Sequence, residues 1–147
     1  MNTVNLNTSK KSIIMGILTL VILFAFSSCT KKIMFLTSPV VPAARGEVVV
    51  KKDKNKNFII HVHLSELAEV SRLSPPKQTY VVWMVTDQNI TRNIGQINSK
   101  TGMLSKQLKA SFETASSFKP VRVFITAEDD AMILSPGSQV ILTTDSF

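Results

Sequence analysis

Apolar residues are spread along this chain in two different ways. Residues 13–26, "IIMGILTLVILFAF", form one almost unbroken greasy run. From Gly46 onward the apolar positions instead come in short runs with a period of two, the period of a strand with one buried face. In "GEVVVKKDKNKNFIIHVHL" (46–64), Val48 and Val50 point one way. Phe58, Ile60, Val62 and Leu64 alternate with Ile59, His61 and His63 on the opposite face. The polar stretch 53–57 between the two runs has turn chemistry, and its lysines discourage edge pairing. "TYVVWMVTD" (79–87) is apolar on both faces, as a central strand of a sandwich would be. "TRNIGQIN", "GMLSKQLKAS", "VRVFITAE" and "SQVILTT" follow, punctuated by Asn, Gly, Pro and Ser. The pattern predicts about seven short strands with turns at sandwich-like spacing. One segment, "SELAEV" (65–70), carries a helical signal with Ser65 placed to cap it, and Pro75-Pro76 ends any such turn. The expected fold is all-β: an Ig-like antiparallel β-sandwich following an N-terminal apolar segment.

The N-terminal run is shorter than an ordinary membrane span of about 17–25 apolar residues, a retained single span being the lesser alternative. Lys10 and Lys11 precede it and Ser27-Ser28 follow it. A charged start, an apolar stretch and small residues before a cut make a secretory signal. The chain's single cysteine, Cys29, comes next. One cysteine excludes an intramolecular disulfide. The formal charge is +7, and the basic excess persists without Lys10 and Lys11. That excess fits a solvated basic face with a modest attraction to anionic surfaces. No basic helix, zinc pattern or ladder of stacking aromatics accompanies it, so a nucleic-acid partner is not expected.

Phe26-Ser27-Ser28-Cys29 resembles the box of bacterial lipoproteins: an apolar residue, two small residues, then cysteine. The resemblance implies that the Cys29 sulfur receives a diacylglyceryl group, that the leader is cut just before it, and that the new amino terminus is acylated, palmitate being the expected chain. A thiolate is the nucleophile such a thioether requires. One acyl chain holds a protein to a membrane only marginally, whereas two or more hold it stably. Residues 1–28 are then a signal peptide and 29–45 a lipidated cysteine and tether, in which Pro39 and Pro42 disfavour helix. Residues 46–147 form the sandwich. Residues 33–36 are too apolar for a pure linker and are expected to lie on the domain or near the membrane. No acidic run follows Cys29, which argues for a periplasm-facing protein in the bacterial cell envelope.

From Leu64 to Thr144 the order of features resembles the C-terminal extracytoplasmic domain of anti-sigma-K factors. The matching pieces are "YVVWMV" (80–85), "RNIGQI" (92–97), "VFITAEDD" (123–130) and "SPGSQVILT" (135–143). Regulatory members of that family carry a cytoplasmic sigma-binding domain before a membrane helix. Here twelve mostly polar residues precede the apolar run, too few to fold such a domain. The resemblance therefore implies the sandwich module alone, on a lipid instead of a helix.

Among candidates for chemistry, His61 and His63 sit two apart on one strand face, a spacing that suits a metal, with Glu47 a possible third ligand if the hairpin pairs. Solvent-facing imidazoles are the plainer alternative. Glu128, Asp129 and Asp130 cluster at a strand end without the loop spacing of a calcium site. Trp83 and Tyr80 are candidates for a binding platform or for the core. Lys51, Lys52, Lys54 and Lys56 read as a soluble hairpin tip, with contact to membrane headgroups the lesser reading. No nucleophile elbow, phosphate loop or dinucleotide fingerprint occurs, so no enzyme, cofactor or small-molecule substrate is expected. The expected function is a non-catalytic binding or sensing module, partnered by the membrane through Cys29 and by an envelope protein or peptide. The alternatives are a structural envelope lipoprotein without a discrete ligand and a metal-binding domain using His61 and His63.

Overall fold

The computed structural model describes residues 30–97 and 109–147. These form eight strands: β1 (Lys31–Met34), β2 (Arg45–Lys52), β3 (Phe58–Ser65), β4 (Thr79–Thr86), β5 (Thr91–Ile97), β6 (Ala110–Ser116), β7 (Pro120–Glu128) and β8 (Val140–Thr143). They lie in two antiparallel four-stranded sheets, ordered β1-β2-β3-β6 and β5-β4-β7-β8. Strands β2, β3 and β6 take the places of A, B and E of an Ig-like sandwich, and β5, β4, β7 and β8 those of C′, C, F and G. Strand β1 is an addition at the edge of the first sheet.

The core lies between the sheets. From the first come Val48, Ile60, Val62 and Leu64, the face that the period-two pattern singles out. From the second come Tyr80, Val82, Met84, Val123 and Ile125. Each large apolar side chain fully buried here contributes about 1.5–3 kcal/mol. Leu67, Val70 and Leu73, in the connection from β3 to β4, add to the same core.

Three expectations change. The segment read as a tether is part of the fold from Lys31 onward, because β1 pairs with β2 in a register that sets Lys31 against Val50 and Met34 against Glu47. Beyond β1, Phe35 N–H donates to Gly46 O at 3.0 Å and Leu36 N–H donates to Thr143 O at 2.8 Å. The apolar residues 33–36 thus stitch β1 to both sheets, which satisfies backbone groups that a free linker would leave to water. Second, the helical turn is not at 65–70. Ser65 ends β3, Glu66 has φ +56°, and a 3₁₀ turn lies at Val70–Arg72. The left-handed Glu66 backbone breaks right-handed helix at that point. Third, the strand read across 102–111 overlaps β6 only at its last two residues. Most of that segment lies outside the described residues, and the ladder to β3 is made by "ASFETAS".

Candidate functional site

On the outer face of the first sheet, His61 and His63 project side by side from β3, their rings stacked at 6.4 Å and 8°. The hairpin pairs as anticipated and sets Glu47 opposite His63. The Glu47 carboxylate, however, is held by Lys32 Nζ at 2.6 Å. The acid that reaches the pair is Glu113 of β6, with Oε2 3.2 Å from His61 Nδ1. Sequence reasoning missed Glu113 because the strand read across 102–111 stops short of it. No group of three His, Cys, Asp or Glu side chains among the described residues is placed to hold a metal ion.

The acidic cluster does not converge either. Glu128 is buried, and its Oε1 accepts the Gly137 N–H at 2.7 Å. Asp129 takes Lys77 Nζ at 2.6 Å, and Asp130 accepts the Met132 N–H at 2.9 Å. Three adjacent carboxylates thus serve three separate structural bonds, unlike the shared oxygen cage calcium requires.

Trp83 and Tyr80 are both fully buried, on opposite faces of β4. Tyr80 enters the core between the sheets, its hydroxyl donating to Ala68 O at 2.9 Å. Burial pushes its phenol pKa up to about 12. Trp83 points the other way, into a second apolar cluster with Val81, Val85 and Phe124 on the outer side of the second sheet. Ile133 from the β7–β8 connection packs against that cluster. Neither aromatic forms an open platform.

That connection carries the most exposed apolar side chains of the described residues. Asn93 of β5 anchors it: Nδ2 donates to Ala131 O at 2.8 Å and to Ile133 O at 3.0 Å. With Ile133 turned inward, its neighbours Met132 and Leu134 face water, 80% and 92% exposed. A shallow groove of about 420 Å³ runs between this segment and Asn93–Gln96 of β5.

At the end of the sandwich carrying the β2–β3 turn, a second groove of about 350 Å³ is walled by Lys31, Lys51, Lys52 and Lys119. Its floor is apolar, formed chiefly by Phe58, Pro120 and Phe147. Lys31 lies 5.2 Å from the centre of the Phe147 ring, and Lys52 the same distance from that of Phe58. The adjoining turn is built on Asp53, whose carboxylate accepts the Asn55 and Asn57 N–H groups at 2.8 Å and Asn57 Nδ2 at 3.0 Å. The Asn57 side chain, with those backbone donors, holds the Asp53 pKa below the ordinary carboxylate value. Lys51, Lys52, Lys54 and Lys56 were legible as a tip. Lys31 and Lys119, distant in sequence, are brought to it by the pairing of β1 with β2 and by the start of β7.

Cys29 and the apolar run 13–26 lie outside the described residues. Among the described residues no helix is long and apolar enough to cross a membrane. The fold and its surfaces define an Ig-like β-sandwich with shallow surface grooves and scattered polar chemistry. Comparison with family models, with curated proteins and with solved structures finds no match.

Proposed function

We propose that the protein is a lipid-anchored component of the bacterial cell envelope whose sandwich is a non-catalytic binding or sensing module, facing the periplasm and tethered through Cys29. The observation that carries the binding role is the β7–β8 segment. Asn93 fixes its backbone at two carbonyls, while Met132 and Leu134 are held out in water. Neighbouring exposed apolar side chains on a held segment suit a protein or peptide partner with an apolar contact. The scattered acids and the His61–His63 pair support no catalytic constellation. The four segments that resemble the anti-sigma-K extracytoplasmic domain lie in the β5-β4-β7-β8 sheet and its connection, and the proposed contact at Met132 and Leu134 falls in the short gap between two of them.

The test is cross-linking in native membranes, comparing the intact chain with a Met132→Ser/Leu134→Ser variant. A discrete adduct present with the former and absent with the latter is expected. No adduct with either chain would favour a structural envelope component without a discrete ligand.

A further inference from the structure

The lysine-walled groove has no role in that contact. Strand β7 begins at its edge, at Pro120, and runs away from it to Glu128, so Met132 and Leu134 follow the opposite end of the strand. Among the described residues, none of the ion pairs involves Lys31, Lys51, Lys52 or Lys119. Lys54 and Lys56 extend the basic surface along the adjoining turn. The acids at this end are Asp53, committed to the turn, Asp87, whose N–H donates to Lys119 O, and Asp145, near Phe147. Six lysines therefore face three carboxylates here, around half-buried phenyl rings that the lysine stems flank.

We propose that this end of the sandwich docks on the anionic phospholipid headgroups of a bilayer, with lipid phosphates between the lysines and the Phe58 and Phe147 rings at the headgroup level. Two independent features select a membrane as the occupant. The charge is complementary to an anionic leaflet, and the combination of ammonium groups with aromatic rings suits an interface that is polar above and apolar below. The chain also enters the fold here: Lys31 lines the groove, two residues after Cys29. Acyl chains on Cys29 would therefore bring the bilayer to this end and not to the Met132–Leu134 segment. The placement rests on the anchor reading of Cys29; the affinity of the surface for anionic lipid does not.

The experiment uses the chain from residue 29 with Cys29→Ser, which retains all eight strands, with folding checked by circular dichroism. It is floated with vesicles of phosphatidylcholine alone or with about one third phosphatidylglycerol. Binding is expected only to the anionic vesicles and should weaken as salt is added. Each lysine near such a surface is worth roughly fivefold in affinity, so Lys51→Gln/Lys52→Gln/Lys119→Gln should bind about a hundredfold more weakly. Absence of anionic-vesicle binding, equal binding by the triple variant, or binding to dextran sulfate but not to vesicles would overturn the proposal. Intact-mass measurement of Cys29 in protein from native membranes tests the anchor separately, so either idea can fail alone.

Discussion

Trp83 donates its indole N–H to the Thr126 hydroxyl at 2.8 Å, and both residues are wholly buried on the outer side of the second sheet. The bond runs diagonally across the β4–β7 pair, since Trp83 stands opposite Phe124 and Thr126 opposite Val81. A residue that typically fills the space between sheets in Ig domains here secures a separate apolar cluster beneath the β7–β8 segment. Thr126→Val keeps the shape and removes the acceptor, leaving a buried N–H unpaired. A loss of about 1–3 kcal/mol is expected, with Thr126→Ser closer to the parent. Trp83 is the only tryptophan, so its fluorescence during urea unfolding reports the change directly.

Tyr80 makes stability sensitive to alkali. Its phenol ionises near pH 10 when unfolded and only at about 12 when folded, because burial disfavours the phenolate. The unfolded chain therefore releases its proton first as pH rises. This contribution is fully present below pH 10 and declines between 10 and about 12, at roughly 1.4 kcal/mol per pH unit. Tyr80→Phe is expected to lower stability at neutral pH by about 1 kcal/mol through loss of the bond to Ala68 O. It should also flatten the decline above pH 10. Tyr80 is the sole tyrosine, and tyrosinate absorbance in the folded protein locates its titration without ambiguity.

Gly95 and Phe112 occupy each other's space. Gly95 has φ +141°, and a Cβ there would lie 2.6 Å from Phe112 Cε2. Gly95→Ala meets both a backbone penalty of about 1–3 kcal/mol and a clash with the ring. Trimming Phe112 as well would relieve the clash but not the backbone. In thermal melts Gly95→Ala should be clearly destabilised, and Gly95→Ala/Phe112→Leu should not recover parental stability.

For the anchor, Cys29→Ser should abolish palmitate incorporation and leave the leader uncleaved at this site. Labelling that survives the substitution would remove lipid from the account. Mass spectrometry of the membrane-extracted protein reads acylation and cleavage together.

Where one face of a strand was strongly apolar, the fold was legible. Ile60, Val62 and Leu64 declare the buried side of β3, and the unbroken apolar run of β4 announces a strand buried on both sides. Strand β6 was placed too early in sequence, over 102–111, because its inward positions are Ala110, Phe112, Thr114 and Ser116, which carry little periodic hydrophobicity. Its partner Ile60 supplies the apolar contact opposite Thr114. The direction of Trp83 could not be read, since both faces of β4 look alike in sequence. The lysine-walled groove was only half visible: the turn is local, whereas Lys31 and Lys119 join it through pairings between distant segments. Nothing about Met132 and Leu134 in sequence separates them from Ile133. The separation comes from distant partners: Asn93 holds the carbonyls of Ala131 and Ile133, and Ile133 packs against the Trp83 cluster.

The route by which the chain enters the fold also determines how it bears load. Strand β1 starts at the lysine end and runs along β2, with ladder bonds perpendicular to its axis. A tug on residue 30 toward a membrane, opposed at the far end of the sandwich, acts along that axis. The rungs are then strained together in shear instead of peeling apart one by one. The links from Phe35 to Gly46 and from Leu36 to Thr143 pass part of the tension into both sheets. An edge strand of four residues becomes a mechanical clamp.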